Sequence, residues 1–214
     1  MRKFYAVGVA LFAAFVILAS LVVFDRSSIT GPDYRAFEAM NKPDGRIVSQ
    51  IMVDLTKYGR EEVWIAATAL LFVLGGKDGK KTAGLLFITF AILIPLGTGI
   101  KDAIDRPRPT PVMPQNLLVP SDKDSSFPSG HAVIVSAGAF VVLARFSRKR
   151  QMAVALTLLV EALLVIYSRV YVGAHYPLDL VGGTLLGAGT ASLVIGSDRY
   201  FYPVFSRLYS MAKR

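Results

Sequence analysis

Only two histidines occur in this 214-residue chain, and each lies in a short run of residues suited to phosphate. His131 closes Pro128-Ser129-Gly130-His131. His175 follows Ser168-Arg169 with five residues between, and Asp179 follows His175 with three between. Upstream, Lys101 is separated by six residues from Arg108-Pro109. Lys and Arg grip phosphate oxygens, and an imidazole can attack phosphorus or carry protons. Grouped near the ends of apolar segments, these residues describe a site that captures an anion and attacks it.

In order and internal spacing, the three runs resemble the signature of the type 2 phosphatidic acid phosphatase superfamily, the integral-membrane lipid phosphate phosphatases. That pattern is Lys-x6-Arg-Pro, then Pro-Ser-Gly-His, then Ser-Arg-x5-His-x3-Asp, and the chain matches every fixed position from Lys101 to Asp179. One run alone is ordinary turn chemistry; three in order are specific. The resemblance implies a phosphohistidine at His175, acid–base work at His131, and no metal or other cofactor.

The residues themselves support the same assignment. Ser129 is suited to N-cap a helix whose first turn holds Gly130 and His131, so that free backbone N–H groups point at a bound phosphate. Gly130 leaves room for close approach. Lys101 ends an apolar stretch, and Pro107 and Pro109 should stop its helix. Arg108 and Arg169 each offer a two-pronged fork to phosphate oxygens, Lys101 a point charge. Pro177 and Asp179 fit the first turn of the last span. Asp179, four residues after His175, can bond one ring nitrogen and orient the other for attack. His131, from another span, can protonate the leaving oxygen and later activate water.

Three residues are less decided. Arg106 also precedes a proline, but its spacing from Lys101 is wrong, and it reads as an interfacial anchor or as a charge that supports the site from behind its binding residues. Ser168 is either an orienting group or the end of span five. Glu161 lies inside an apolar stretch, where ionisable groups face the bundle interior. Seven residues before Ser168, it should lie about 10 Å deeper on the same face, beneath the site and braced by a polar partner or protonated. The alternative is a purely structural interhelical hydrogen bond.

Positioning falls to membrane elements. Hydrophobic residues make up 53% of the chain and the mean hydropathy is +0.50. With no cysteine, disulfides and thiolate metal ligands are excluded. The net charge of +9 is spread over segment ends and forms no aromatic-laced basic patch, so nucleic acid is not an expected partner. Apolar stretches at residues 4–24, 62–75, 82–100, 131–146, 152–167 and 178–195 predict an all-α, six-span transmembrane bundle forming one domain over residues 1–214. Several are short, so their helices should extend into polar flanks, as before Glu62. Residues 47–57 read as an amphipathic helix, lying at the interface or extending span two to pack on the bundle.

Lys and Arg gather at Arg2–Lys3, at Lys77, Lys80 and Lys81, at Arg145, Arg148, Lys149 and Arg150, and at Arg199, Arg207, Lys213 and Arg214. The positive-inside rule then puts both termini in the cytoplasm and all three motifs at the external or periplasmic face. The first stretch reads as an uncleaved anchor in preference to a signal peptide, for want of a small-x-small cleavage site. Tyr200-Phe201-Tyr202-Pro203 reads as an interfacial aromatic belt. The long connection at residues 110–126 should shape the entrance.

The expected function is hydrolysis of a lipid phosphate or diphosphate in the bilayer, with a polyprenyl diphosphate of the undecaprenyl type the favoured substrate. Phosphatidylglycerol phosphate, phosphatidate and lipid phosphotransfer are the alternatives within enzymes. A non-catalytic lipid-binding protein or transporter is the alternative outside them.

Overall fold

The computed structural model describes residues 1–109 and 117–201, except for the side chains of Arg26 and Ser27. Every regular element among them is a helix: α1 (Arg2–Phe24), α2 (Arg26–Met40), α3 (Arg46–Tyr58), α4 (Glu61–Leu74), α5 (Gly76–Ile104), α6 (Gly130–Arg145), α7 (Lys149–Tyr171) and α8 (Pro177–Gly196). The expected apolar stretches fall one each in α1, α4, α5, α6, α7 and α8. Of these, α1, α5, α7 and α8 are long and apolar enough to cross a membrane. The 16 residues of α6 and 14 of α4 rise only about 24 and 21 Å.

α8 is the central helix: 67% of its apolar window is buried, against 17% for α1. It packs most extensively on α1 and α6. A Cβ on Gly187 would stand 2.2 Å from the Val133 carbonyl oxygen, and one on Gly183 2.7 Å from that of Ser129. Small residues therefore let the α8 and α6 backbones touch, as close helix pairs in membranes require.

Two departures concern the short elements. The polar residues before Glu62 do not lengthen span two, because the chain breaks at Gly59–Arg60 between α3 and α4. A Cβ on Gly59 would meet Val165 Cγ2 at 2.3 Å, so this joint lies directly on α7. α3 packs on α7 and buries Thr56, while Ile47, Val48 and Ile51 stay exposed. Of the extension reading, the packing on the bundle holds, but α3 is a separate helix and not a continuation of span two. α2 was not expected, since its residues lack a membrane-like apolar run. It is held by Phe37 and Tyr34, whose rings lie 5.5 and 5.0 Å from that of Tyr176 at the start of α8.

The C-terminal ends of α5 and α7 meet the N-terminal ends of α6 and α8 at one end of the bundle, which carries all three motifs. Lys77, Lys81, Arg145 and Lys149 lie toward the other end. There Tyr5 Oη and Ser197 Oγ are 2.9 Å apart and Arg145 reaches Asp198 at 3.4 Å. Tyr202, Pro203, Arg207, Lys213, Arg214 and the first part of the 110–126 connection lie outside the described residues.

Candidate active site

α5 ends at Ile104, with Lys101 in its last turn and Asp105 left-handed, ahead of the prolines expected to stop it. The chain then carries Arg106 and Arg108 across the bundle end. Ser129 occupies the N-cap position of α6, as anticipated, but makes no capping bond with its side chain. That hydroxyl is fully buried and has no hydrogen-bond partner among the described residues. Pro177 is the first residue of α8, and the Asp179 carboxylate accepts the Tyr176 N–H at 2.9 Å, closing the first turn.

His175 sits in the α7–α8 connection, 1% exposed. Arg108 Nη1 is 3.2 Å from its Nε2 and donates to the Ala174 carbonyl at 3.0 Å. A guanidinium can only donate, so this Nε2 bears a lone pair and the ring proton belongs on Nδ1. Nδ1 stands 3.4 Å from Asp179 Oδ2, close but without an aligned hydrogen bond. That oxygen is already taken by the Tyr176 N–H and the Ser126 hydroxyl. Burial, reinforced by Arg169, Arg108 and Lys101, pushes the imidazole well below its ordinary pKa and keeps it neutral.

Of the two readings of Arg106, the structure bears out the supporting charge and not the interfacial anchor: the residue is buried, donating to Asp179 Oδ1 at 2.5 Å and Asp33 Oδ2 at 2.6 Å. Asp33 in turn accepts the Leu178 N–H at 3.0 Å. Asp33, Arg106 and Asp179 thus form a buried charged chain that fixes the start of α8. A guanidinium 4.6 Å from the Tyr176 ring centroid completes the packing.

The second histidine is held from α3. His131 Nε2 is 2.9 Å from the Thr56 carbonyl oxygen, and its Nδ1 is 3.5 Å from Arg60 Nη1. Thr56 Oγ1 lies 2.7 Å from Ser168 Oγ and 3.4 Å from Arg169 Nη1. Ser168 is therefore more than the end of a span: through Thr56 it braces both His131 and Arg169.

The cations face carboxylates of the preceding loop. Lys101 pairs with Asp124, and Arg108 with Asp124 at 2.5 Å and Asp122 at 3.3 Å. Arg169 Nη2 is 3.6 Å from Asp122. Burial works to raise the Asp124 carboxyl, but Lys101 and Arg108 hold it down at about 2. Both acids are half-exposed. Their oxygens take up hydrogen-bonding positions of Lys101, Arg108 and Arg169.

Glu161 does not join this cluster. It lies against Gly59 and the Trp64 indole, and neither of its oxygens has an aligned partner among the described residues. Sequence reasoning missed Asp33, Thr56, Arg60 and Ser126, none of which lies in a matched run. It likewise assigned no role to Asp122 or Asp124. Beside the site opens a groove of about 1680 Å³ walled by α4, α5 and α6.

The site can bind a phosphoryl group, attack it with a neutral imidazole and exchange a proton at a second imidazole. Comparison with known proteins agrees in kind. A family profile described as the PAP2 superfamily matches residues 81–202. The chain is 40% identical over 197 residues to an undecaprenyl-diphosphatase of Sulfolobus acidocaldarius, covering 91% of this chain and 92% of that one. It is 28% identical over 161 residues to undecaprenyl-diphosphatase BcrC of Bacillus subtilis, covering 72% and 78%. Among solved structures, the transmembrane PAP2-type phosphatidylglycerolphosphate phosphatase of Bacillus subtilis superposes with a TM-score of 0.71 at 27% identity. That match covers 90% of this chain and 96% of its own. By motif, fold and sequence, the chain belongs to the PAP2 superfamily.

Proposed function

We propose that this chain is a metal-independent phosphatase of polyprenyl diphosphates of the undecaprenyl type, acting through a phosphohistidine at His175. The observation that carries the reading is the groove. It starts beside Lys101, Asp124 and Gly130, passes Trp64 and Phe90, and reaches Lys77 and Lys81 toward the opposite end of the bundle. A phosphate head and a long apolar tail are accommodated together. Two relatives named as undecaprenyl-diphosphatases support the choice of lipid.

In this mechanism the substrate's terminal phosphate displaces Asp122 and Asp124 from Lys101, Arg108 and Arg169. Ser129, Gly130 and the first turn of α6 supply backbone N–H groups. Arg108 turns from His175 Nε2 to the phosphate oxygens, freeing the lone pair. Nε2 bonds to the terminal phosphorus as the bridging P–O bond breaks; His131, having taken the last proton of the incoming diphosphate on Nδ1 as Arg60 turns to the substrate, returns it to the leaving oxygen. Water then attacks the phosphohistidine, His131 takes the water's proton, and orthophosphate departs. Asp179 keeps the His175 Nδ1–H oriented, while Ser168, through Thr56, keeps His131 in place. Glu161 takes no part in these steps.

On this reading one domain spans residues 1–214 and crosses the membrane six times, with α4 and α6 as short spans. The basic end lies in the cytoplasm with both termini, and the site faces outside or into the periplasm. The fold shared with a phosphatidylglycerolphosphate phosphatase favours that lipid as the second reading.

The test is phosphate release from undecaprenyl diphosphate in mixed micelles with chelator present, comparing wild type with His175→Ala. Release that vanishes in the variant is expected. Wild-type release from phosphatidylglycerol phosphate alone would favour the second reading, and release persisting in His175→Ala would refute the phosphohistidine.

A further inference from the structure

Lys101, Arg108 and Arg169 belong to the three matched runs. A fourth cation, Arg60, reaches the same place from the joint between α3 and α4 and belongs to none of them. Its Nη1 is 3.5 Å from His131 Nδ1 and 3.4 Å from where a Cβ on Gly130 would stand. The other side of its fork, Nε and Nη2, is committed to Glu61. Nη1 is left lying over the first turn of α6. The Thr56 carbonyl can only accept, so His131 Nε2 carries the ring proton and Nδ1 turns its lone pair toward Arg60.

We propose that Arg60 Nη1, with the first turn of α6, binds the second phosphate of a diphosphate substrate, the one that stays on the lipid. The placement follows from the two histidines. His175 Nε2, with Arg108 at 3.2 Å, marks where the terminal phosphorus is attacked. His131 marks the leaving oxygen, and Arg60 lies beyond it. In a monoester the group beyond the leaving oxygen is a carbon chain, from which a guanidinium gains nothing. In a diphosphate it is a phosphate, to which Nη1 donates a charge-assisted hydrogen bond.

The leaving group decides how much this matters. Cleavage of a diphosphate releases a lipid monophosphate, whose growing negative charge is met by a fixed cation. Cleavage of a monoester releases an alcohol, for which the proton of His131 matters most and a cation beyond it adds nothing. Arg60 also lines the mouth of the groove with Lys101 and Gly130, so the second phosphate would lie between the attacked phosphorus and the apolar tail.

The subsite owes its biological use to the diphosphate reading above, but its existence can be tested without it. The probes are inorganic pyrophosphate and orthophosphate, titrated calorimetrically into the full chain in detergent, as wild type, Arg60→Gln and Arg60→Lys. The Arg60 side chain is a third exposed at a helix joint, so folding should survive, and an unchanged Tm checks this. Wild type should prefer pyrophosphate. Arg60→Gln should weaken pyrophosphate about 10- to 100-fold, the range of one hydrogen bond to a charged group, and shrink the preference at least about tenfold. Arg60→Lys, a point charge without the fork, should fall between. Equal weakening of both anions, or of neither, overturns the subsite. If the preference depends on Arg60 but no polyprenyl diphosphate is hydrolysed, the subsite stands and the lipid reading falls. Hydrolysis of that lipid with a preference indifferent to Arg60 sinks the subsite alone.

Discussion

Replacing Arg106 by alanine should unfold the site before it does anything subtler. The guanidinium contacts Asp179 at 2.5 Å and Asp33 at 2.6 Å, and both carboxylates are buried, at 0% and 3% exposure. Truncation strands two carboxyl groups in a desolvated place. Removing one partner of a buried pair typically costs about 3–5 kcal/mol, most of it the penalty on the partner left behind. For a chain of this size each kcal/mol moves Tm by about 2–4 °C, so a fall of roughly 6–20 °C is expected in detergent. Phosphate release should fall as well, because Asp179 faces His175 Nδ1 at 3.4 Å and loses its orientation with Arg106. Adding Asp33→Asn removes one stranded charge, so the double variant should be more stable than the sum of the single losses, by about 0.5–3 kcal/mol. The assay is thermal unfolding of the four proteins, followed by turnover at a temperature where all are folded. Arg106→Ala with a Tm within about 2 °C of wild type would refute the buried chain and return Arg106 to the role of a surface anchor.

Two further substitutions test the rest of the architecture. Gly187→Ala puts a methyl into the Val133 carbonyl at the α6–α8 contact and should cost about 1–3 kcal/mol of stability, read by the same melts; a neutral effect would mean that the helices are not in backbone contact. Asp124→Asn releases Lys101 and Arg108, so inhibition by orthophosphate should tighten about 3- to 10-fold, while the half-exposed carboxylate leaves Tm nearly unchanged. Held at about 2, Asp124 stays charged from pH 5 to pH 9, so substitution and not mild acidification exposes its role. Weaker inhibition by orthophosphate would show that Asp124 does not compete with phosphate.

The amino-acid sequence on its own determined the helical membrane class, the positions of the apolar helices and the motif residues. Hydropathy is summed along the chain, and the three runs keep their spacing within short segments, so both survive without knowledge of packing. Pro177 and Ser129 declared helix starts for the same local reason, although the Ser129 hydroxyl proved to be buried without a capping bond. Only the tertiary structure decided what those residues touch. Arg106 and Arg108 are two residues apart and both precede proline, yet one is sealed between Asp33 and Asp179 while the other faces His175. Spacing from Lys101 told them apart but said nothing of what each touches, because their partners lie 73 and 67 positions away. Thr56 and Arg60 entered the site only because Gly59 lets the α3–α4 joint rest on α7, and Ser168 became a brace only once Thr56 was there. Glu161 shows the converse. Periodicity placed it on the right face, but its neighbours across the bundle are Gly59 and Trp64, and contacts between helices are set by which small residues allow approach, not by the spacing within either helix.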